Sequence, residues 1–169
     1  MLEKLVQKEC VQILTNNYIG HLGYVQNNTP YVIPITYYYD PTENAIFSYS
    51  SEGHKVKAMR KNKTVALQVE AIKTLNNWMS VLAHGIFEEI QGSAAKMYLH
   101  RFAQNVKRTM ADQEGINEQS IVSFSSKINS GTVPIIYRIN VLEIIGRKKF
   151  IPVNTSNFPS KDFKNFVTN

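Results

Sequence analysis

The sequence predicts a mainly β protein, a six-stranded antiparallel barrel with α-helices packed against its outside. Segments rich in aromatic and β-branched residues recur between turn-forming clusters, which is the pattern of short strands joined by tight connections. Apolar residues at spacings of three and four, the mark of a half-buried helix, are confined to a few stretches between them. Closure into a barrel hides strand edges that would otherwise pair with other chains. At 169 residues the chain can enclose one hydrophobic core and is short for two. We therefore expect one domain over residues 1–150 and a C-terminal tail over 151–169.

In order, Leu2, Val6, Cys10, Ile13 and Leu14 predict an amphipathic helix within residues 2–16. Tyr18 to Val25 and Tyr31 to Tyr39 predict a hairpin turning at Asn27-Asn28-Thr29-Pro30. Asp40 to Asn44 makes the next turn, Ala45 to Ser50 the third strand, and Ser51-Glu52-Gly53 a polar loop leading to a helix from His54 to Lys61. Thr64 to Ala71 and Trp78 to Ile90 are the fourth and fifth strands. Ala94, Met97, Tyr98, Phe102 and Val106 predict a longer helix over 93–113, and residues 115–132 read as loop with one short helix. The sixth strand runs from Val133 to Ile145, where Ile135, Tyr137, Ile139 and Val141 alternate with Ile136, Arg138, Asn140 and Leu142. The tail carries only weak signals.

Nineteen basic against thirteen acidic residues, a net charge of +6, favour an anionic partner without distinguishing nucleic acid from a small phosphate. No apolar run approaches the roughly 20 residues of a membrane span, and the opening MLEKLVQKEC lacks the apolar core of a secretion signal, so a cytoplasmic location is expected. The one cysteine, Cys10, excludes an internal disulfide and is expected to be a buried packing residue. His21, His54, His84 and His100 have no zinc-site spacing, and no metal is expected.

Phe47-Ser48-Tyr49-Ser50-Ser51-Glu52-Gly53-His54-Lys55 is the most informative segment. A strand that empties into a short loop and then a helix leaves the first helical N–H groups unpaired, and those groups suit an anion. Ser48, Ser50 and Ser51 add hydroxyl donors, Gly53 allows close approach, and Lys55 adds a full positive charge. The same residues also describe a serine-rich turn that merely caps a helix. The segment lacks the glycine and lysine spacing of a nucleotide-triphosphate loop.

Gly20-His21-Leu22-Gly23, Pro30-Tyr31-Val32-Ile33-Pro34-Ile35-Thr36-Tyr37 and Ser50-Ser51-Glu52-Gly53-His54-Lys55 resemble the FMN-binding split-barrel proteins related to pyridoxamine 5'-phosphate oxidase. Within that group the resemblance is to the flavin-nucleotide-binding branch that includes the 5-nitroimidazole-resistance reductases. Trp78-Met79-Ser80-Val81 with Gly85, and Tyr137-Arg138-Ile139 with Glu143-Ile144-Ile145-Gly146, extend it over roughly residues 1–150. It implies a split β-barrel that binds FMN and commonly forms homodimers. It assigns Pro34, Ile35, Thr36 and Tyr37 to the isoalloxazine ring, largely through backbone groups, and Ser48, Tyr49, Ser50, Ser51 and Lys55 to the phosphate. Trp78, Ser80 and Val81 match a strand near the flavin, reached across the barrel or from a dimer partner. Two departures stand out: Ser48 occupies a position where that branch often has histidine, and the tail lacks the arginine-bearing strand of the true vitamin B6 oxidases.

Other constellations are weak. Glu88 and Glu89 are adjacent on a strand, point to opposite faces and cannot act as an acid–base pair. His84 is either a flavin-facing proton donor or a hydrogen-bonded strand residue, His54 an exposed helix start, and Tyr37-Tyr38-Tyr39 are divided between core and flavin face rather than forming a nucleic-acid platform. No catalytic residue is assigned. The expected function is an FMN-dependent oxidoreductase passing electrons from NAD(P)H to a nitroaromatic, a quinone or free flavin; the alternative is a non-catalytic flavin- or haem-binding storage or sensor protein.

Overall fold

A computed structural model describes residues 1–114 and 134–151. In chain order these form β1 (Leu2–Lys4), α1 (Gln7–Thr15), β2 (Ile19–Gln26), β3 (Thr29–Thr36), β4 (Tyr38–Asp40), β5 (Ala45–Ser50), α2 (His54–Lys61), β6 (Thr64–Thr74), β7 (Asn77–Glu89), α3 (Ser93–Glu114) and β8 (Ile135–Phe150). The fold is mainly β, an antiparallel split barrel with flanking helices. The predicted loop over 115–132, the beginning of the predicted sixth strand at Val133 and the tail beyond Ile151 lie outside the described residues.

Local chemistry sets the hairpins. Asn27 and Asn28 hold φ of 50° and 61° between the paired residues Gln26 and Thr29. Asparagine tolerates this left-handed region, and two such residues match the twist of the strands they join. The sheet runs β3-β2-β6-β7-β8-β5-β4, with β1 on the free edge of β8. One residue, Tyr37, separates β3 from β4 although these strands end opposite sides of that order. The sheet must therefore roll up, and the seam lies where β3 approaches β5.

The structure corrects five expectations. Among the described residues eight strands form instead of six. Residues 2–4 are strand rather than helix: Leu2 and Val6 are exposed, and Leu2 to Lys4 pair with Lys149 to Arg147, an edge of β8 that nothing else covers. The predicted strand from Tyr31 to Tyr39 breaks at Tyr37, whose amide donates to the Tyr18 carbonyl at 2.8 Å. The last strand continues to Phe150, which places Arg147, Lys148 and Lys149 on a strand. Met97, expected on the apolar side of α3, is exposed, while Phe102, Val106 and Met110 carry that side.

Alternation along the strands yields two cores. Leu22, Leu67, Val81, Tyr137 and Ile139 fill the barrel with Leu14 of α1. Phe47 and Ile136 face outward and are covered by Phe102, Val106 and Met110 of α3. Cys10 is buried, and burial raises its thiol pKa. A register shift at His84/Gly85 leaves Leu142 bulged on β8.

Gly85 permits this close β7–β8 approach, since a Cβ there would lie 2.5 Å from the Asn140 carbonyl oxygen. Gly85→Ala is expected to destabilise the fold by about 1–3 kcal/mol, the range for overpacking, measured by urea unfolding. An unchanged midpoint would contradict this account of the contact.

Candidate functional site

Strand β5 sorts its side chains by parity. Ala45, Phe47 and Tyr49 face α3, with the Tyr49 ring 5.4 Å from that of Phe102. Ile46 and Ser48 face the barrel. Ser48 is buried, and its hydroxyl donates to the Thr36 carbonyl at 2.8 Å, stitching β5 to β3 across the seam. The Ser48 side chain is thus already engaged. Tyr137, paired with Ser48 in register, is also fully buried; among the described residues nothing meets its hydroxyl at hydrogen-bond geometry, and burial pushes its pKa up to about 12, with Ser48 easing the shift.

The strand ends at Ser50. The half-buried Ser50 hydroxyl donates to the Ser51 carbonyl at 2.7 Å, and Ser51 is exposed. Helix α2 follows with no side-chain cap and no acidic residue in its first turn, so among the described residues no side chain occupies its leading amides. Gly53 is extended, and a Cβ there would meet only the Ser51 carbonyl oxygen, 4.0 Å away. The polypeptide itself therefore does not require glycine, and the open space suits a ligand lying against the backbone. Lys55 is half-buried, burial lowers its pKa, and among the described residues it has no anionic partner. Lys57, Lys61 and Lys63 are exposed. Uncapped amides, hydroxyls and an unneutralised ammonium together can hold a phosphate dianion.

Two contacts around this loop were not legible in the sequence. Tyr24 Oη lies 3.0 Å from His54 Nδ1, the Tyr24 and Tyr31 rings stack at 5.3 Å, and the His54 ring meets Tyr31 edge-on at 4.7 Å. Arg60 forks to both oxygens of Glu89 at 2.8 and 3.0 Å and to both oxygens of Glu52 at 3.0 and 2.9 Å. These pairings depend on how β2 and β7 sit beside α2, which no local pattern encodes.

The remaining assigned residues fall into two places. Pro34, Ile35 and Thr36 lie on β3, an end strand of the sheet whose outer edge offers backbone groups; Pro34 is exposed, as suits an edge, and Ile35 is buried. Tyr37 is buried, and its hydroxyl donates to the Leu14 carbonyl at 2.8 Å. Trp78 and Ser80 face outward near the other end of β7, and Val81 is buried in the core. Trp78 stands eleven residues from Glu89, the end of β7 tied to α2, which is about 35 Å at ~3.3 Å per residue. His84 lies on the outward face between Ala66 and Glu143. Glu88 and Glu89 have separate partners, Arg138 and Arg60.

The fold defines a class: a split β-barrel with flanking helices. Residues 7–132 match the family described as pyridoxamine 5'-phosphate oxidase, and the chain belongs to that family. An uncharacterized protein of Rhizobium meliloti is 29% identical over 84 residues, 50% of this chain and 54% of that protein, so the match spans about half the length of this curated relative. A FAD-binding protein of Mesorhizobium loti superposes with a TM-score of 0.67 at 23% identity, covering 88% of this chain and 96% of that one. A 5-nitroimidazole-resistance-like protein of Bacteroides thetaiotaomicron gives 0.61 at 14% identity, covering 88% and 89%. The flavocytochrome Anf3 of Azotobacter vinelandii gives 0.62 at 16%, covering 89% and 70%. At these identities the superpositions establish the shared fold.

Two variants test the site's construction. Ser48→Ala strips the Thr36 carbonyl of its partner and is expected to cost about 1–3 kcal/mol, read by urea unfolding, with ligand affinity unchanged. Burial lowers the Lys55 pKa, so below its folded pKa the folded state bears the desolvation of the ammonium. That burden is relieved as pH rises past the lowered folded pKa toward the ordinary 10.5. Lys55→Met is therefore expected to melt above the wild-type protein at pH 7, with the gap narrowing as pH approaches 10.5. A gap that widened with pH would reverse the assignment.

Proposed function

We propose that this protein is an FMN-binding flavoprotein and an oxidoreductase, passing electrons from NAD(P)H to a small acceptor such as a nitroaromatic, a quinone or free flavin. The observation that carries this reading is Lys55: a half-buried ammonium with no anionic partner among the described residues, at the uncapped start of α2 beside Ser50 and Ser51. A buried cation without a counterion is costly, and a ligand phosphate removes that cost. Family membership and the FAD-binding relative support a flavin; the need for a strong local anion supports FMN, whose phosphate monoester carries about −2 at neutral pH.

In this reading Ser50, Ser51, Lys55 and the first amides of α2 hold the phosphate. The backbone edge of β3 from Pro34 to Tyr37 faces the ring. When bound, FMN supplies the hydride-accepting and electron-passing chemistry, which asks no acid or base of the side chains. The protein's part is to fix and orient the cofactor and to limit access by water. We place it in the cytoplasm, where reduced nicotinamides are abundant; among the described residues no helix is long and apolar enough to cross a membrane.

We also propose a homodimer. The outward face of the sheet exposes Ile19, Val32, Ile72 and Ile145, and apolar residues grouped on one face favour association. Trp78 and Ser80 stand on that same face, so a second copy can supply them to the site.

Titration of cofactor-free protein with FMN, FAD and riboflavin, followed by flavin fluorescence, tests the reading. FMN is expected to bind most tightly. Lys55→Met is expected to weaken FMN by about 1.5–3 kcal/mol and to leave riboflavin nearly unchanged. Equal affinity of wild-type protein for FMN and riboflavin would remove the phosphate assignment. Oxidation of NADH or NADPH upon addition of an acceptor separates an enzyme from a storage or sensor protein.

A further inference from the structure

Glu52 presents a problem for any anion site here. It immediately precedes Gly53, the residue that caps α2, and Lys55 follows three positions later. A carboxylate at such a place is well suited to accept hydrogen bonds from free helical amides and to pair with a nearby ammonium. It would be an internal competitor for the same donors. Yet Glu52 does neither. Both of its oxygens are taken by Arg60 Nη1, at 3.0 and 2.9 Å.

Arg60 sits in the last turn of α2, six residues beyond His54, which is about 9 Å along the axis at ~1.5 Å per residue. The Glu52 side chain is therefore drawn toward the far end of the helix, away from its amides. Arg60 is itself fixed from the other side, where Nε and Nη2 fork to Glu89 at the end of β7 at 2.8 and 3.0 Å. A planar guanidinium can hold two carboxylates at once in this way, and a lysine ammonium cannot reproduce it.

We infer that Arg60 is a positioning residue for the anion site: it sequesters the Glu52 carboxylate, with Glu89 as its anchor, and so leaves the α2 amides and Lys55 open to phosphate. The inference rests on the phosphate reading of the loop proposed above. Without Arg60, Glu52 is free to turn back and occupy the donors itself. The loss then falls on phosphate-bearing ligands alone and is relieved by neutralising Glu52. A purely structural role in holding the loop would affect all flavins alike and would be indifferent to the charge at position 52.

The test is titration of FMN and riboflavin into wild-type protein, Arg60→Ala, Glu52→Gln and the double variant, with thermal melts verifying that each is folded. Arg60→Ala is expected to weaken FMN by roughly five-fold, the upper end for an exposed ion pair, with riboflavin unaffected. The double variant is expected to recover wild-type FMN affinity, and Glu52→Gln alone to bind FMN at least as well as wild type. The inference is overturned by unchanged FMN binding in Arg60→Ala, by equal losses for FMN and riboflavin, by no recovery in the double variant, or by weaker FMN binding in Glu52→Gln. If Arg60→Ala does not fold, the Glu52→Gln result alone decides. Wild-type protein that binds FMN no better than riboflavin removes the phosphate reading, and this inference with it; a wild-type preference for FMN with an unresponsive Arg60→Ala removes only the inference.

Discussion

The rest of the barrel depends on how Tyr37 is held. At this one residue the chain leaves β3, at one end of the sheet order, and enters β4, at the other end. Its ring is buried among the barrel residues, its amide donates to the Tyr18 carbonyl, and its hydroxyl donates to the Leu14 carbonyl near the end of α1. Three parts of the chain thus meet at one side chain. A buried hydroxyl must be satisfied, so the Leu14 contact fixes α1 as the plug of the barrel as much as it fixes the ring. Once the crossing is set, β3 and β5 must approach, and Ser48 can bridge to Thr36. The end of β5, and with it the loop into α2, is then placed beside the exposed edge of β3.

Most of this architecture was legible because it is local. Asn27-Asn28, the alternation along β8, and the helix from His54 to Lys61 each announce themselves within a few residues. The errors occurred where tertiary pairing overrode a local pattern. Leu2 and Val6 have helical spacing with Cys10, but the free edge of β8 offers Leu2 to Lys4 more backbone pairing than one frayed helical turn could. Tyr37 reads as the middle of a strand because its neighbours are aromatic, and only the rolled sheet makes it a corner. In the candidate site, Ser50, Ser51 and Lys55 followed from a strand–loop–helix pattern, whereas the engagement of Ser48 with Thr36 and the Arg60 fork required knowing which strands are neighbours.

Net charge is a poor guide to where an anion goes in this molecule. Arg60 is matched by Glu52 and Glu89, Arg101 by Asp40 and Glu43, Arg138 by Glu88, and Lys148 by Glu9. The Arg101 contacts, with the Tyr98 hydroxyl on Glu43 at 3.2 Å, fasten α3 to the β4–β5 turn and are structural. The exposed lysines of α2 are solvated and screened. What distinguishes Lys55 is partial burial without a counterion among the described residues, because desolvation makes an unmatched charge expensive and therefore selective for a ligand that can match it.

The arrangement of β7 carries the argument to the level of assembly. Its two ends serve different tasks: Glu89 anchors the loop region through Arg60, while Trp78 and Ser80 lie near the opposite end on the outward face. At ~3.3 Å per residue the eleven residues from Trp78 to Glu89 span about 35 Å of strand. In the homodimer proposed above, Trp78 or Ser80 can reach the cofactor held by a second copy whose β7 runs in the opposite sense, so that its Trp78 end meets the first copy's loop end. A two-fold axis through the outward face does this twice, giving two equivalent sites and covering the exposed Ile19, Val32, Ile72 and Ile145 together. Under this arrangement dimer formation and cofactor affinity are thermodynamically linked, since a ligand that contacts both copies stabilises the dimer by the amount the dimer strengthens its binding.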